Sequence, residues 1–231
     1  MFEGPMSRGD VYRPTSMSTY VLIPGAGGEA WYWHLVAPLL QAAGHRAVPV
    51  GLPAGDPDAG LEAYVAAALD AVGTPDGDMV VVGQSLGGFT APVVAERLDA
   101  AMLVFVAAMI PKSGETAGEW WSTSGFHEYW GDQEMDATEH FFHDLPPTVL
   151  QDVLERGEPE QTGRVMTDPF PLSSLPAIPT RAIAATNDRF FPVAFMDRLI
   201  RDRLGIEPEH VSAGHLPALA NPTGLVEVLL A

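Results

Sequence analysis

The chain has 231 residues, 47% of them hydrophobic and 18% charged, a composition typical of a folded globular protein. Its 30 acidic and 12 basic side chains give a formal net charge of −18, and so acidic a surface disfavours nucleic acid and anionic membranes as partners. The absence of cysteine excludes disulfides, thiolate nucleophiles and cysteine-ligated metal. No apolar run approaches the roughly 18 residues of a membrane span. We therefore expect a cytoplasmic monomer or homodimer that acts on a small molecule.

Short β-rich runs alternate with helical patterns along most of the chain. Residues 1–17, before the first run, are polar and interrupted by Pro and Gly, and we expect them to be a disordered leader or a cloning remnant. The predicted strands are Tyr20–Ile23, Arg46–Val50, Met79–Val82, Met102–Ala107, Thr180–Ala184 and roughly His210–Ser212. The predicted helices are Trp33–Ala43, Leu61–Val72, Leu86–Leu98, Val193–Arg203 and Pro222–Leu230. This alternation predicts an α/β fold with a mostly parallel central sheet flanked by helices.

Residues 111–175 break the alternation. They contain two helical stretches, Gly118–Tyr129 and Pro147–Arg156, no convincing strand, and a concentration of aromatic side chains. We expect this segment to form a helical cap over the carboxyl edge of the sheet. The core of the fold would then consist of residues 18–110 and 176–231.

One strand-to-helix turn carries a serine between two glycines. Met79–Gly88 reads MVVVGQSLGG, so Ser85 lies between Gly83 and Gly87 after a buried strand and before a helix. A turn this sharp strains the serine backbone and exposes its hydroxyl, and only small neighbours fit beside it. The alternative is a glycine-rich turn with an incidental serine, but the strand–turn–helix context favours Ser85 as a nucleophile.

A serine nucleophile needs a base, and the base needs a partner that holds its tautomer. Asp188 follows the fifth predicted strand in a short loop, whereas Asp197 and Asp202 lie on the next helix and are less well placed. His215 lies in the loop AGHLP, between the last strand and the final helix. The alternative for Asp188 is a helix-capping or solvated loop residue. The alternative for His215 is a solvent-exposed loop histidine with no catalytic role. We predict that Asp188 orients His215 and that His215 is the base for Ser85.

These features together resemble the α/β-hydrolase superfamily. The resemblance rests on the elbow Gly83–Gly87, the early loop Pro24–Gly28 and the later Asp188 and His215, and it covers nearly everything from Tyr20 onward. The superfamily has its nucleophile, acid and base in this order along the chain. The resemblance implies an α/β-hydrolase fold.

The stretch VLIPGAGGEAWYWHLVAPLLQAAGH resembles, more narrowly, the opening of the plant methylesterase and hydroxynitrile lyase branch. That resemblance implies that the backbone N–H groups of Ala26 and Leu86 form an oxyanion hole. Pro24 stands where the branch usually has histidine. Because the donors are backbone groups, we expect the hole to survive this difference.

The early loop also fits the dinucleotide-binding pattern G-x-G-x-x-G/A through Gly25, Gly27 and Ala30. That pattern needs a carboxylate about 20 residues on to hold the ribose. No acid follows the second predicted strand until Asp56, and a dinucleotide site would not explain the serine elbow. We expect no cofactor.

Two further groups could suggest other chemistry. His140 and His143, near Glu139 and Asp144, have the spacing of metal ligands on a helix, but two histidines without a third convergent ligand are more often surface or capping residues. Lys112 is the single lysine of the chain, so Schiff-base chemistry would depend on it alone. We expect no metal site.

The sequence thus predicts a serine hydrolase that cleaves an ester or related acyl bond through an acyl-enzyme. The aromatic side chains favour a small to medium apolar or aromatic substrate, with contacts from Trp31, Trp121, Trp130 and Phe142. One alternative is a hydroxynitrile lyase on the same scaffold, for which the resemblance implies a cap lysine that only Lys112 could supply. The other is a receptor that binds a small molecule without turning it over.

Overall fold

A computed structural model describes residues 17–157 and 159–231. Its sheet has six parallel strands in the order β2-β1-β3-β4-β5-β6. The strands are β1 (Ser18–Ile23), β2 (Arg46–Pro49), β3 (Asp78–Gln84), β4 (Met102–Val106), β5 (Thr180–Ala185) and β6 (Glu209–Val211). Most are continuous apolar runs because helices cover both faces of a parallel sheet. The predicted α/β fold is confirmed.

Ten α-helices accompany the sheet within the described residues. They are α1 (Val36–Ala42), α2 (Leu61–Val72), α3 (Gly87–Arg97), α4 (Ala117–Thr123), α5 (His127–Trp130), α6 (Ala137–His140), α7 (Pro147–Arg156), α8 (Val193–Leu204), α9 (Pro217–Ala220) and α10 (Pro222–Leu230). Two 3-10 turns, Ala30–Trp33 and Arg164–Met166, complete the set. None of these described helices is long and apolar enough to cross a bilayer.

The two faces of the sheet bury two separate apolar clusters. In β1, Val21 and Ile23 face a cluster covered by α2, α3 and α8, whereas Tyr20 and Leu22 face the cluster under α1 and α10. Helix α2 buries positions 61, 64, 65, 68 and 72, the spacing of a single helical face. Each fully buried aliphatic side chain stabilises the fold by about 1.5–3 kcal/mol. The spacing of apolar residues, every second position along the strands and every 3.6 positions along the helices, therefore determines which face of the sheet each helix covers.

Two predicted helices are shorter or divided. The stretch Trp33–Ala43 becomes a 3-10 turn followed by α1, because Pro38 cannot sit inside a helix that began five residues earlier but fits the first turn of α1. The stretch Gly118–Tyr129 divides into α4 and α5 at Gly125, whose φ is +76°. A Cβ there would lie 2.6 Å from the Arg198 guanidinium, so glycine suits both the backbone and the contact.

The chain between β4 and β5 forms helices α4 to α7, and its described residues contain no strand beyond an isolated bridge between Thr116 and Pro169. An ion pair joins its beginning to the core: the Arg203 guanidinium lies 2.6 Å from the Glu115 carboxylate, with both side chains over 90% buried. The predicted leader, except Met17, lies outside the described residues.

Candidate active site

Ser85 occupies a strained turn between β3 and α3. Its φ is +50°, a conformation that side chains other than glycine rarely adopt. A Cβ at Gly83 would lie 2.6 Å from the Ala91 Cβ, and one at Gly87 would lie 2.5 Å from the Pro24 carbonyl oxygen. Glycine at both positions is therefore what allows the turn to close, with Ser85 at the N-terminus of α3, where the helix dipole favours negative charge.

The three residues expected to form a triad lie within hydrogen-bond distance of one another. The Ser85 hydroxyl donates to His215 Nε2 across 3.0 Å, and His215 Nδ1 donates to Asp188 Oδ2 across 2.8 Å. We assign the proton of the neutral ring to Nδ1, because a carboxylate can only accept. The other oxygen, Asp188 Oδ1, accepts from the backbone N–H groups of Phe190 and Phe191, each at 2.8 Å. Both oxygens of the Asp188 carboxylate thus accept hydrogen bonds, one from His215 and the other from two backbone N–H groups.

Apolar rings surround the imidazole. Phe190 and Phe191 meet His215 edge-on, with centroids 5.0 and 4.9 Å away, and Phe141 approaches to 5.4 Å. The His215 and Asp188 side chains are 3% and 0% exposed. Because both side chains are buried, the electrostatic interaction between the ring and its carboxylate is stronger than it would be in water.

The early loop brings backbone amides to the serine. Gly25 passes so close that a Cβ there would lie 2.8 Å from the Ser85 Cβ. The Gly28 N–H donates to the Gly25 carbonyl across 3.1 Å, and Gly27 has φ of +84°, the geometry of a type II turn. Ala26 and Leu86 both line the cavity beside Ser85, and their N–H groups donate to no acceptor among the described residues. Two free amides beside Ser85 have the arrangement that the stabilisation of an oxyanion requires.

A cavity of about 840 Å³ opens over Ser85, between the early loop and the cap. Trp31, Trp121 and Phe142 line it, as the sequence predicts. Trp130 lies outside the described lining, which corrects the prediction: its ring stacks on Phe126 at 5.4 Å, so it serves cap packing instead. Other lining residues carry no motif that would predict them: Met109, Phe141, Leu154, Arg156, Gln161 and Met166. The aromatic enrichment of the cap indicated the region but not the side chains that face the cavity.

Polar groups are few in this lining. The Arg156 guanidinium is 3.2 Å from the Glu29 carboxylate and 4.7 Å from the centroid of Trp31, so these opposite charges neutralise each other at the rim. The Tyr32 hydroxyl accepts from the Ala218 N–H at 3.4 Å. Burial raises the pKa of Tyr32, which outweighs that hydrogen bond, so the phenol stays neutral. The described lining residues therefore present a mostly apolar surface, on which the charged Arg156 and Glu29 side chains are paired with each other.

The residues behind the alternative chemistries lie elsewhere. Lys112 is exposed and outside the described cavity lining, so it does not provide the cation that cyanide chemistry would use. His140 is buried, with Nδ1 2.7 Å from the Asp136 carbonyl and its ring 4.7 Å from Trp130. Nowhere in the described part of the chain do three His, Asp or Glu side chains converge as a metal site would require.

The fold and this site define the class of protein. Residues 20–228 match the alpha/beta hydrolase family, so the chain belongs to that family. A solved structure, that of polyneuridine aldehyde esterase, superposes with a TM-score of 0.76 over 93% of this chain and 98% of that one. At 18% sequence identity this likeness confirms the α/β-hydrolase fold and nothing narrower.

Curated relatives confirm the resemblance to the plant methylesterase branch. The probable esterase PIR7A of Oryza sativa subsp. indica is 37% identical over 110 residues, 43% of this chain and 42% of that protein. Methylesterase 7 of Arabidopsis thaliana is 33% identical over 104 residues, 40% of each chain. This chain thus matches less than half the length of these relatives.

Proposed function

We propose that the protein is a carboxylesterase that hydrolyses esters of small to medium, neutral, apolar or aromatic compounds through an acyl-enzyme. The observation that carries the proposal is the continuous hydrogen-bonded series Ser85–His215–Asp188, with distances of 3.0 and 2.8 Å. The names of the similar plant esterases support the same bond type.

The reaction proceeds in two half-reactions. Ser85 Oγ attacks the ester carbonyl carbon while its proton passes to His215 Nε2, and the Asp188 carboxylate stabilises the resulting imidazolium. The N–H groups of Ala26 and Leu86 donate to the tetrahedral oxyanion. Nε2–H then protonates the departing alkoxide. The alcohol leaves, and the acyl group stays bound to Ser85. Water, deprotonated by the same nitrogen, then attacks the acyl carbon, and Nε2–H returns the proton to Ser85 Oγ as the bond to the acyl group breaks and the acid is released.

The lining favours neutral substrates. Its described charges are either paired, as Glu29 and Arg156 are, or belong to the catalytic histidine. A substrate carboxylate would lose its hydration without a free cation to replace it, which is costly in an apolar site. The volume of about 840 Å³ is at the upper end of the usual range for small-molecule sites, so an aromatic acyl or alcohol group fits.

The test is hydrolysis of p-nitrophenyl esters, from acetate to octanoate and including phenylacetate, by the wild-type protein and Ser85→Ala. We expect turnover that disappears in Ser85→Ala, with kcat/KM rising along the apolar series. Wild-type inactivity across the whole series would overturn the esterase proposal. Cyanide release from mandelonitrile by the same inactive protein would point instead to the lyase, and tight binding without turnover to the receptor.

A further inference from the structure

A cap segment reaches back to the loop that carries the first oxyanion donor. The Gly27 N–H donates to Gln161 Oε1 across 2.9 Å, a contact between residues 134 positions apart. Gln161 Nε2 in turn donates to the Tyr64 hydroxyl at 3.1 Å and to the Thr162 carbonyl at 2.9 Å. The Thr162 N–H donates to the Ala54 carbonyl at 2.8 Å. The Gln161 side chain is therefore held from behind while it holds Gly27.

This contact fixes the peptide next to the donor. In a type II turn the central peptide, here Ala26–Gly27, has the orientation opposite to that in a type I turn. Gln161 accepts from the N–H of this central peptide. Without the acceptor the Gly27 N–H would be left unpaired, and the early loop, which carries the Ala26 N–H, would no longer be tied in position beside Ser85. Pro159 also packs on Gly27, where a Cβ would come within 2.5 Å of its ring.

A second cap residue holds the histidine loop in the same way. The Gly214 N–H, one residue before His215, donates to Asp144 Oδ2 at 2.5 Å. A Cβ on Gly214 would lie 2.6 Å from the other Asp144 oxygen, so glycine permits the approach. On the far side, the His215 carbonyl accepts from Gln84 Nε2 at 3.0 Å. The loop is thus fixed from the core by Gln84 and from the cap by Asp144.

We propose that Gln161 and Asp144 are positioning residues, through which the cap aims the Ala26 amide and the His215 ring at the reacting atoms. The inference depends on the esterase function proposed above. It gives the cap a role in the chemical step in addition to enclosing the substrate. A misplacement of about 1 Å costs on the order of 100-fold in rate, so each contact is expected to affect kcat rather than binding.

Gln161→Met tests the oxyanion side, since it preserves length and removes the acceptor. Rates are normalised to active sites titrated with a fluorophosphonate, so unfolded protein does not count. We expect kcat to fall by about 10- to 100-fold, somewhat less than the loss of an entire oxyanion donor, with KM changed less than about twofold. An aryl trifluoromethyl ketone, which forms an oxyanion on Ser85, should bind more weakly by the factor that kcat/KM loses. The control is Gln151→Met, the same change on the exposed cap helix α7, which should match wild type.

Asp144→Leu and Asp144→Asn test the histidine side. Leucine removes the acceptor for Gly214, and we expect kcat to fall by about 10- to 100-fold. Asparagine keeps an acceptor oxygen, and its kcat should recover to within about threefold of wild type. A loss in Asp144→Asn as large as that in Asp144→Leu would overturn the role of this hydrogen bond.

The outcomes separate the two proposals. Activity that survives Ser85→Ala would overturn the esterase mechanism itself. A different result would overturn only the positioning role. In that case activity still needs Ser85, but the Gln161→Met enzyme keeps the wild-type kcat, whether or not its KM is raised. Affinity for the apolar ester, measured in the inactive Ser85→Ala background, should not fall in Gln161→Met, because methionine keeps the length and leaves the cavity lining apolar. A loss of affinity there would also count against the positioning role.

Discussion

Replacing Asp188 by asparagine is expected to abolish catalysis by reversing the tautomer of His215. Asp188 Oδ1 accepts from two backbone N–H groups, those of Phe190 and Phe191. An asparagine that turned its NH2 toward them would leave two buried donors unsatisfied, at about 1–3 kcal/mol each. The orientation with the amide oxygen at the Oδ1 position is therefore favoured over the flipped one by a population ratio of about 30 or more. In that orientation the NH2 group faces the histidine.

The consequence follows from the 2.8 Å contact between Asp188 Oδ2 and His215 Nδ1. A donor at that position requires Nδ1 to accept, so the ring proton moves to Nε2, which then donates to Ser85 and cannot act as its base. The same substitution in a serine protease triad lowers kcat by about 10⁴, which corresponds to about 5.5 kcal/mol of barrier. We expect a loss of that size here.

Two measurements check this prediction. The first is kcat/KM on the preferred p-nitrophenyl ester, and the second is the ¹⁵N spectrum of histidine-labelled protein, assigned by comparison with His215→Gln. Asp197→Asn is the matched control, because Asp197 pairs with His210 at 2.9 Å outside the cavity, and its activity should equal that of wild type. An Asp188→Asn enzyme within tenfold of wild type, or one with the proton still on Nδ1, would refute the reasoning.

Three further predictions concern stability. Arg203→Met leaves the Glu115 carboxylate buried and unpaired and should cost about 3–5 kcal/mol, measured by urea unfolding, whereas the double variant Glu115→Met/Arg203→Met should be more stable than the single one. Burial alone would raise the pKa of Glu115, but hydrogen bonds, above all from Arg203, hold it below its ordinary value of 4.5. The stability that the Glu115 carboxylate contributes is therefore present above pH 4.5 and is lost as the pH falls through the lowered pKa. The Glu115→Gln variant should lack this acid-dependent loss of stability. Gly88→Ala should unfold the protein or strongly lower its Tm, since its Cβ would lie 1.9 Å from the Met109 carbonyl oxygen.

Local sequence signals sufficed for the sheet and for the elbow. Strand runs such as Met79–Val82 lie within the observed strands because their burial on both faces appears directly as uninterrupted apolar sequence. Ser85 is recognisable because the strain of its turn demands glycine on both sides, within five residues of sequence. His215 and Asp188 were found by their places after strands, since parallel strands bring their carboxyl ends to one edge.

The cap gave no comparable signal. Trp121 and Trp130 are both aromatic cap residues, yet Trp121 belongs to the described lining of the cavity whereas Trp130 stacks on Phe126 outside it. They lie on two separate helices, α4 and α5, divided at Gly125, whereas the sequence pattern predicts a single helix there. The contact between Gln161 and Gly27 spans 134 positions, and neither residue belongs to a motif that would connect them.

The two cap contacts constrain how substrate can reach Ser85. If Asp144 and Gln161 hold the catalytic loops, lifting the cap as one body would break both contacts and disorganise the triad and the oxyanion hole together. Entry through the rim would leave them intact. There Arg156 and Glu29 form a half-exposed ion pair, worth about 1 kcal/mol or less, and Leu154 is 62% exposed. This ion pair lies beside the Gly27–Gln161 contact but does not share its atoms, so it can open for substrate while both hydrogen bonds keep the reacting groups in place.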